Sequence, residues 1–84
     1  MNNKHLKTLK VIFSSPVSSS IFWSDIEKLF IALDCKITEG RGSRVRVMKN
    51  DVFAVFHRPH PGKETNKGAV ISVREFLLKI GVQR

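Results

Sequence analysis

The chain has 84 residues, of which 42% are hydrophobic and 26% charged, so it forms one small domain and has no room for two cores. Its net charge of +8 and its pI near 10.3 predict affinity for a polyanion or an acidic protein. No apolar run approaches the roughly 20 residues of a membrane-spanning helix, and the single cysteine, Cys35, excludes an intramolecular disulfide. We therefore expect a cytoplasmic protein without membrane association.

The N-terminal segment predicts a short helix followed by a linker. Its apolar residues recur at helical spacing: Leu6, Leu9, Ile12 and Phe13. Pro16 then lies within a run of small polar residues, 14–20, which favours a turn. We interpret residues 1–20 as a helical extension and linker within a single domain that covers residues 1–84.

The second predicted helix has the clearest amphipathic pattern in the chain. Its apolar stripe consists of Ile26, Leu29, Phe30 and Leu33. Ser24 and Glu27 have the spacing of a capping box, in which each side chain bonds an otherwise unpaired backbone N–H. We expect Ser24 to cap this helix, Phe22 and Trp23 to close one end of the core, and the helix to end near Asp34.

After Asp34 the apolar period changes to two, which predicts three strands. They are expected around residues 35–38, 44–48 and 52–56, separated by turn residues at 39–42 and 49–51. A last helix is predicted by apolar residues that recur between Val70 and Ile80, with Gly81 as its C-terminal cap.

The predicted fold class is α+β, in the order helix, helix, three-stranded antiparallel meander, helix. Val45 and Val47 alternate with Arg44 and Arg46, so one face of the sheet packs inward and the other carries cations. The helices can bury only one face of such a sheet, so we expect the other face to be exposed, basic and available.

The segment after the third predicted strand carries the residues with the most evident chemistry. His57 and His60 can transfer protons near neutral pH, and Pro59, Pro61 and Gly62 keep the segment out of a helix. Candidate RNA- and phosphate-binding residues surround them in the sequence: Arg41, Ser43, Arg44, Arg46, Arg58 and Lys63.

These residue types fit RNA cleavage without a metal. A base must take the 2′-hydroxyl proton, an acid must protonate the departing 5′-oxygen, and cations must stabilise the charged phosphorane. His60 and His57 are the candidates for the proton transfers. Their His-x-x-His spacing lacks third and fourth ligands for zinc, so we expect neither a metal nor another cofactor.

Three short pieces of the sequence form a recognisable set: Gly42-Ser43-Arg44, His60-Pro61-Gly62-Lys63-Glu64 and Lys67-Gly68-Ala69-Val70. Together they resemble the HicA toxins, and the resemblance covers roughly residues 23–82. HicA toxins are small ribonucleases of bacterial and archaeal toxin–antitoxin pairs, with an α-β-β-β-α fold like that of double-stranded-RNA-binding domains. The resemblance implies a metal-independent messenger-RNA endonuclease that an acidic HicB-like antitoxin holds inactive.

One position departs from the family pattern. The family usually has Gly-Ser-His, in which the histidine is regarded as the catalytic base, whereas this chain has Arg44 there. An arginine keeps its proton, so it can bind a phosphate but is unsuited to act as a base. Either His60 performs the proton transfer with His57 assisting, or the chain binds RNA without cutting it. A third interpretation is a basic protein that only docks an acidic partner.

Overall fold

The computed structural model describes residues 2–82. The helices span Asn3–Ile12 (α1), Trp23–Ala32 (α2) and Lys67–Lys79 (α3), and the strands span Lys36–Glu39 (β1), Arg44–Lys49 (β2) and Val52–His57 (β3). This order confirms the predicted α+β class and contains the α-β-β-β-α arrangement. The predicted domain range also includes residues 1, 83 and 84, which lie outside the described part. No helix within residues 2–82 has the length and apolarity needed to cross a membrane.

The strands form an antiparallel sheet in the order β1-β2-β3, with one face against the helices. Val45 and Val47 on β2 are fully buried, and their register partners on β3 are Phe56 and Ala54. The opposite face is exposed, which confirms the expected free basic surface. We call it the outer sheet face; it consists of Lys36, Thr38, Arg44, Arg46, Met48, Phe53, Val55 and His57.

The turn between β2 and β3 fixes the register of these two strands. Asn50 and Asp51 form a two-residue loop with φ values of 54° and 65°, as a type I′ hairpin requires. Lys49 therefore faces Val52, and the same register brings Arg44 opposite His57 at the far end of the hairpin. A local turn thus determines which side chains meet five positions away.

An aromatic cluster forms the centre of the core. The Phe30 ring is fully buried, and its centroid lies 6.4 Å from that of Trp23, 5.8 Å from Phe56 and 5.6 Å from Phe76. These four rings join α2, β3 and α3. Valine and leucine side chains from α3 complete the packing: Val70, Val73 and Leu77.

Helix α1 is part of the core and not a detached extension. Leu9 and Ile12 are buried, and Ile12 has no exposed surface. Arg74 on α3 donates hydrogen bonds to the Ile12 carbonyl at 2.9 and 3.1 Å and to the Ser14 carbonyl at 3.0 Å. Its guanidinium also lies 5.8 Å from the centre of the Phe13 ring. The C-terminal end of α1 is therefore held by an element 60 residues later in the chain.

The expected capping box at the start of α2 is wrong. The helix begins at Trp23, and its N-cap residue is Phe22, which makes no side-chain cap hydrogen bond. Ser24 lies inside the first turn. The Glu27 carboxylate does not reach back to the cap; instead it accepts two hydrogen bonds from Arg58.

Residues distant in sequence satisfy the backbone at both ends of α2. The Trp23 N–H donates to the Lys63 carbonyl at 3.0 Å, which supplies one of the partners that a local cap would have given. At the other end, the Lys49 ammonium donates to the Leu33 carbonyl. Asp34 then adopts a φ of 63°, which confirms the expected end of the helix.

Helix α3 is capped within its own sequence. The Asn66 side chain accepts a hydrogen bond of 2.8 Å from the Ala69 N–H, a cap that the sequence analysis missed. Gly81 has a φ of 87°, which confirms it as the residue that terminates the helix.

Candidate functional site

Several segments meet at one end of the molecule, which we call the site end. They are the N-termini of α2 and α3, the β1–β2 turn, the end of β3 and the segment of residues 58–66. The Arg58 N–H donates to the Ser43 carbonyl at 2.8 Å and joins the end of β3 to the β1–β2 turn. Because helix N-termini carry partial positive charge, the two helix ends add to the positive potential here.

Two backbone hydrogen bonds hold the segment of residues 58–66 against the start of α2. The Thr65 N–H donates to the Ile21 carbonyl at 2.8 Å, and the Trp23 N–H donates to the Lys63 carbonyl at 3.0 Å. Thr65 is buried, so this part of the segment is anchored in the core. His60 lies before these anchors and is exposed.

Arg44 and His57 are direct neighbours on the outer sheet face. They are register partners in the antiparallel pair of β2 and β3, and both side chains are exposed. Cβ atoms of such directly opposed residues lie about 4.5–5.5 Å apart. A permanent cation is therefore placed beside an imidazole at the site end, although the two residues are far apart in sequence.

A cleft of about 380 Å³ opens on the outer sheet face beside this pair. Its lining consists of Arg44 and Arg46 from β2, Thr38 and Glu39 from β1, Val55 from β3, and Gly40. The Gly40 N–H donates to the Arg44 carbonyl at 2.8 Å. Two guanidinium groups thus face one concave surface, an arrangement suited to the phosphates of a nucleic acid.

Arg58, predicted to bind phosphate, lies in a network of carboxylates. Its Nε and Nη2 donate to the two carboxylate oxygens of Glu27 at 2.9 and 3.0 Å, and Nη1 donates to Glu39 at 3.3 Å. The hydrogen bond to Glu27, followed by that to Glu39, raises the pKa of Arg58 above its ordinary value. These contacts tie the residue after β3 to α2 and β1.

The other predicted residues lie on two surfaces that meet at the β1–β2 turn. Lys63 lines a second cleft, of about 390 Å³, together with Trp23 and Pro59, on the loop side of the site end. Arg41 and Ser43 lie exposed in the β1–β2 turn. The structure thus brings Arg44 and His57 together, while His60 and Lys63 belong to the neighbouring loop.

Sequence reasoning missed Phe53. Its side chain is 55% exposed on the outer sheet face, and the Arg46 guanidinium lies 4.5 Å from the centre of its ring. The alternation along β3 contained the signal, because position 53 has the same parity as Val55 and His57.

A family model described as the HicA toxin of bacterial toxin-antitoxin matches residues 23–82. The matched range includes α2, the whole sheet and α3, and it leaves out α1. The chain belongs to the HicA toxin family. Neither the curated proteins nor the solved structures that were compared contain a match. As a HicA protein, the chain is the toxin side of a toxin–antitoxin pair, and an antitoxin is the kind of partner implied.

Proposed function

We propose that this HicA toxin is a metal-independent endoribonuclease that cleaves messenger RNA, and that an acidic HicB-like antitoxin neutralises it. The observation that supports this most directly is the position of Arg44 opposite His57 on an exposed, basic surface. Family membership supplies the toxin role, and this pair supplies a phosphate ligand and a proton-transfer group for the chemistry.

The proposed reaction uses the 2′-hydroxyl of the RNA as the nucleophile. A base removes the hydroxyl proton, the 2′-oxygen attacks the adjacent phosphorus, and the bond from phosphorus to the 5′-oxygen breaks as an acid protonates that oxygen. His60 serves as general base or acid and His57 assists it. Arg44 binds the phosphate and stabilises the charge that develops on it, since an arginine does not give up its proton.

Arg44 also favours a second candidate function, RNA binding without cleavage. It occupies the position where the family usually has its catalytic histidine, and removing a base while keeping a cation retains phosphate affinity. In that case the histidines would be dispensable and the protein would act by covering RNA.

Induction of the chain in a bacterial host, following growth and intact messenger RNA together, tests the proposal. We expect arrest and RNA loss with the wild type, and neither with His60→Ala, while His57→Ala reduces both. His5→Ala is the matched control, because His5 lies on α1, outside the site end, and should behave like the wild type. RNA loss that persists in both His57→Ala and His60→Ala would rule out histidine catalysis. Soluble wild type without arrest or RNA loss would favour the binding function.

The antitoxin part of the proposal rests on charge. The chain carries a net charge of +8, and an acidic partner that covers the outer sheet face would meet cations there. We expect coexpression of a cognate acidic antitoxin to prevent the arrest, and the complex to weaken as the salt concentration rises.

A further inference from the structure

We propose that the outer sheet face binds single-stranded RNA, with bases packed on its apolar centre and phosphates held by its cations. This inference rests on the proposed function, because it takes RNA as the ligand. It goes beyond that function in naming the surface along which the strand lies and in requiring an unpaired strand.

The apolar centre of the outer sheet face consists of Met48, Phe53 and Val55. They are 40%, 55% and 47% exposed, so each presents a large part of its side chain to solvent. Met48 and Phe53 are register partners, and Val55 lies two residues further along the same face of β3. The three side chains therefore form one contiguous patch. Patches of this kind on small proteins mark interaction surfaces.

Most of the ionisable groups around this patch are basic. Lys36, Arg44 and Arg46 lie on the outer sheet face, as does His57 at the site end. None of the residues that make up this face is an Asp or a Glu. At its borders, Glu39 lines the cleft beside Arg44 and Arg46, and Glu75 lines a pocket beside Phe53. The cations outnumber these carboxylates, and a net positive surface favours an anionic ligand.

Arg46 and Phe53 supply the groups that hold unpaired bases. The guanidinium lies 4.5 Å from the centre of the ring, so the two form a stacked unit at the surface. Aromatic rings and guanidinium planes are the side-chain groups on which proteins stack the bases of single-stranded RNA. An acidic protein would also satisfy the charges, so the stacked unit of Arg46 and Phe53 is the feature that favours RNA here.

The dimensions of the face also fit a short single strand. The distance from the row of Arg44 and His57 to the row of Met48 and Phe53 is about 13 Å, since four residues of strand rise by roughly 3.3 Å each. Neighbouring strands lie about 4.8 Å apart, so the face is about 10 Å wide. A duplex keeps its bases paired inside and offers only backbone and grooves, which would leave the apolar centre unused. A single strand can lay its bases on that centre.

The test is binding of the full chain to a fluorescent 2′-O-methyl RNA of about a dozen nucleotides of mixed sequence. This probe lacks the hydroxyl nucleophile, so binding is measured without cleavage. We expect the single strand to bind at least about tenfold more tightly than the same RNA annealed to its complement. Phe53→Ala should weaken single-strand binding by about tenfold, as is typical for loss of one stacked base.

Leu78→Ala is the matched control, because Leu78 is an apolar residue of similar exposure, 48%, on α3. It should leave binding unchanged, and circular dichroism should show both variants folded because both side chains lie at the surface. Equal affinity for single strand and duplex, or unchanged binding by Phe53→Ala, would overturn the inference. The inference would also fail if Phe53→Ala bound RNA normally but was no longer neutralised by the antitoxin. That result would identify this face as a protein-docking surface.

Cleavage is measured separately, with ordinary RNA. If the wild type cleaves RNA but Phe53→Ala does not weaken binding, the nuclease function stands and this inference fails. If Phe53→Ala weakens binding of the probe but the wild type cleaves no RNA, this inference stands and the nuclease function fails. The two proposals can therefore fail independently.

Discussion

Arg58 and Glu27 form a two-pronged ion pair in which Nε and Nη2 donate to both oxygens of one carboxylate, at 2.9 and 3.0 Å. The two residues are 31 positions apart in sequence, and Glu39 adds a third contact at 3.3 Å. The pair joins α2 to the residue that directly follows His57. It therefore sets where β3 ends and where the segment of residues 58–66 begins.

Removal of this ion pair should affect stability more than RNA binding. We expect Arg58→Ala to lower the free energy of unfolding by about 1 kcal/mol, a modest value because both groups are partly exposed to solvent. Arg44→Ala should leave stability nearly unchanged but reduce the slope of log affinity against log salt by about 0.7, the value for one phosphate contact on a single strand. Urea unfolding and RNA binding at several salt concentrations measure both quantities. An equal loss of salt slope in Arg58→Ala would restore Arg58 as a phosphate ligand.

The N-terminal helix should contribute to the stability of the whole domain, although it lies outside the range that matches the family. Ile12 is fully buried, and we expect Ile12→Ala to cost about 2–5 kcal/mol of unfolding free energy. Leu6→Ala on the same helix is the control, since Leu6 is 50% exposed, and it should change stability by less than about 0.5 kcal/mol. Similar effects of the two substitutions in chemical denaturation would show that α1 does not pack as described.

The hairpin loop should be sensitive to β-branched residues. Asp51 has a φ of 65°, a conformation that a β-branched side chain adopts only with strain. We expect Asp51→Val to lower the melting temperature, at a cost of about 1–2 kcal/mol, whereas Asp51→Gly should be tolerated. Thermal unfolding followed by circular dichroism gives the comparison. A melting temperature for Asp51→Val equal to that of Asp51→Gly would contradict the positive φ.

The thiol of Cys35 should react slowly in the folded protein. Burial raises the pKa of Cys35 above the 9.0 of an exposed thiol, an effect that outweighs the opposite influence of Lys49. Because the folded pKa is the higher one, the thiol stabilises the fold below pH 9.0, and this contribution is lost as the pH rises through the folded pKa.

Iodoacetamide labelling at increasing pH measures this shift. The labelling midpoint should lie above that of the same chain in urea, and the rate at pH 8 should be far lower in the folded state. Equal midpoints in the two states would show that the thiol is accessible.

Most of the fold could be predicted from the sequence because its signals are local. The alternation of Val45 and Val47 with arginines gave the buried and exposed faces of the sheet, and the turn residues before Val52 gave the hairpin. Gly81 similarly marked the end of α3. Each of these depends on a few neighbouring residues, which a sequence pattern can represent.

The features that could not be predicted depend on contacts between distant segments. Ser24 has the spacing of a cap, but the carbonyl of Lys63 occupies the Trp23 N–H, and Arg58 occupies the Glu27 carboxylate. Nothing near Arg58 in the sequence indicates that it would pair with α2. The positions of the candidate site residues relative to one another have the same origin, since the pairing of Arg44 with His57 requires the register of the whole hairpin.

The anchoring of the segment before α3 has a consequence for the newly made chain. During synthesis from the N-terminus, His57 and His60 are added before α3, whose side chains Val73 and Phe76 complete the core. Until that helix packs, the inner face of the sheet lacks the side chains of α3 that cover it. A partly synthesised chain should therefore lack the ordered site end, and with it the activity proposed above.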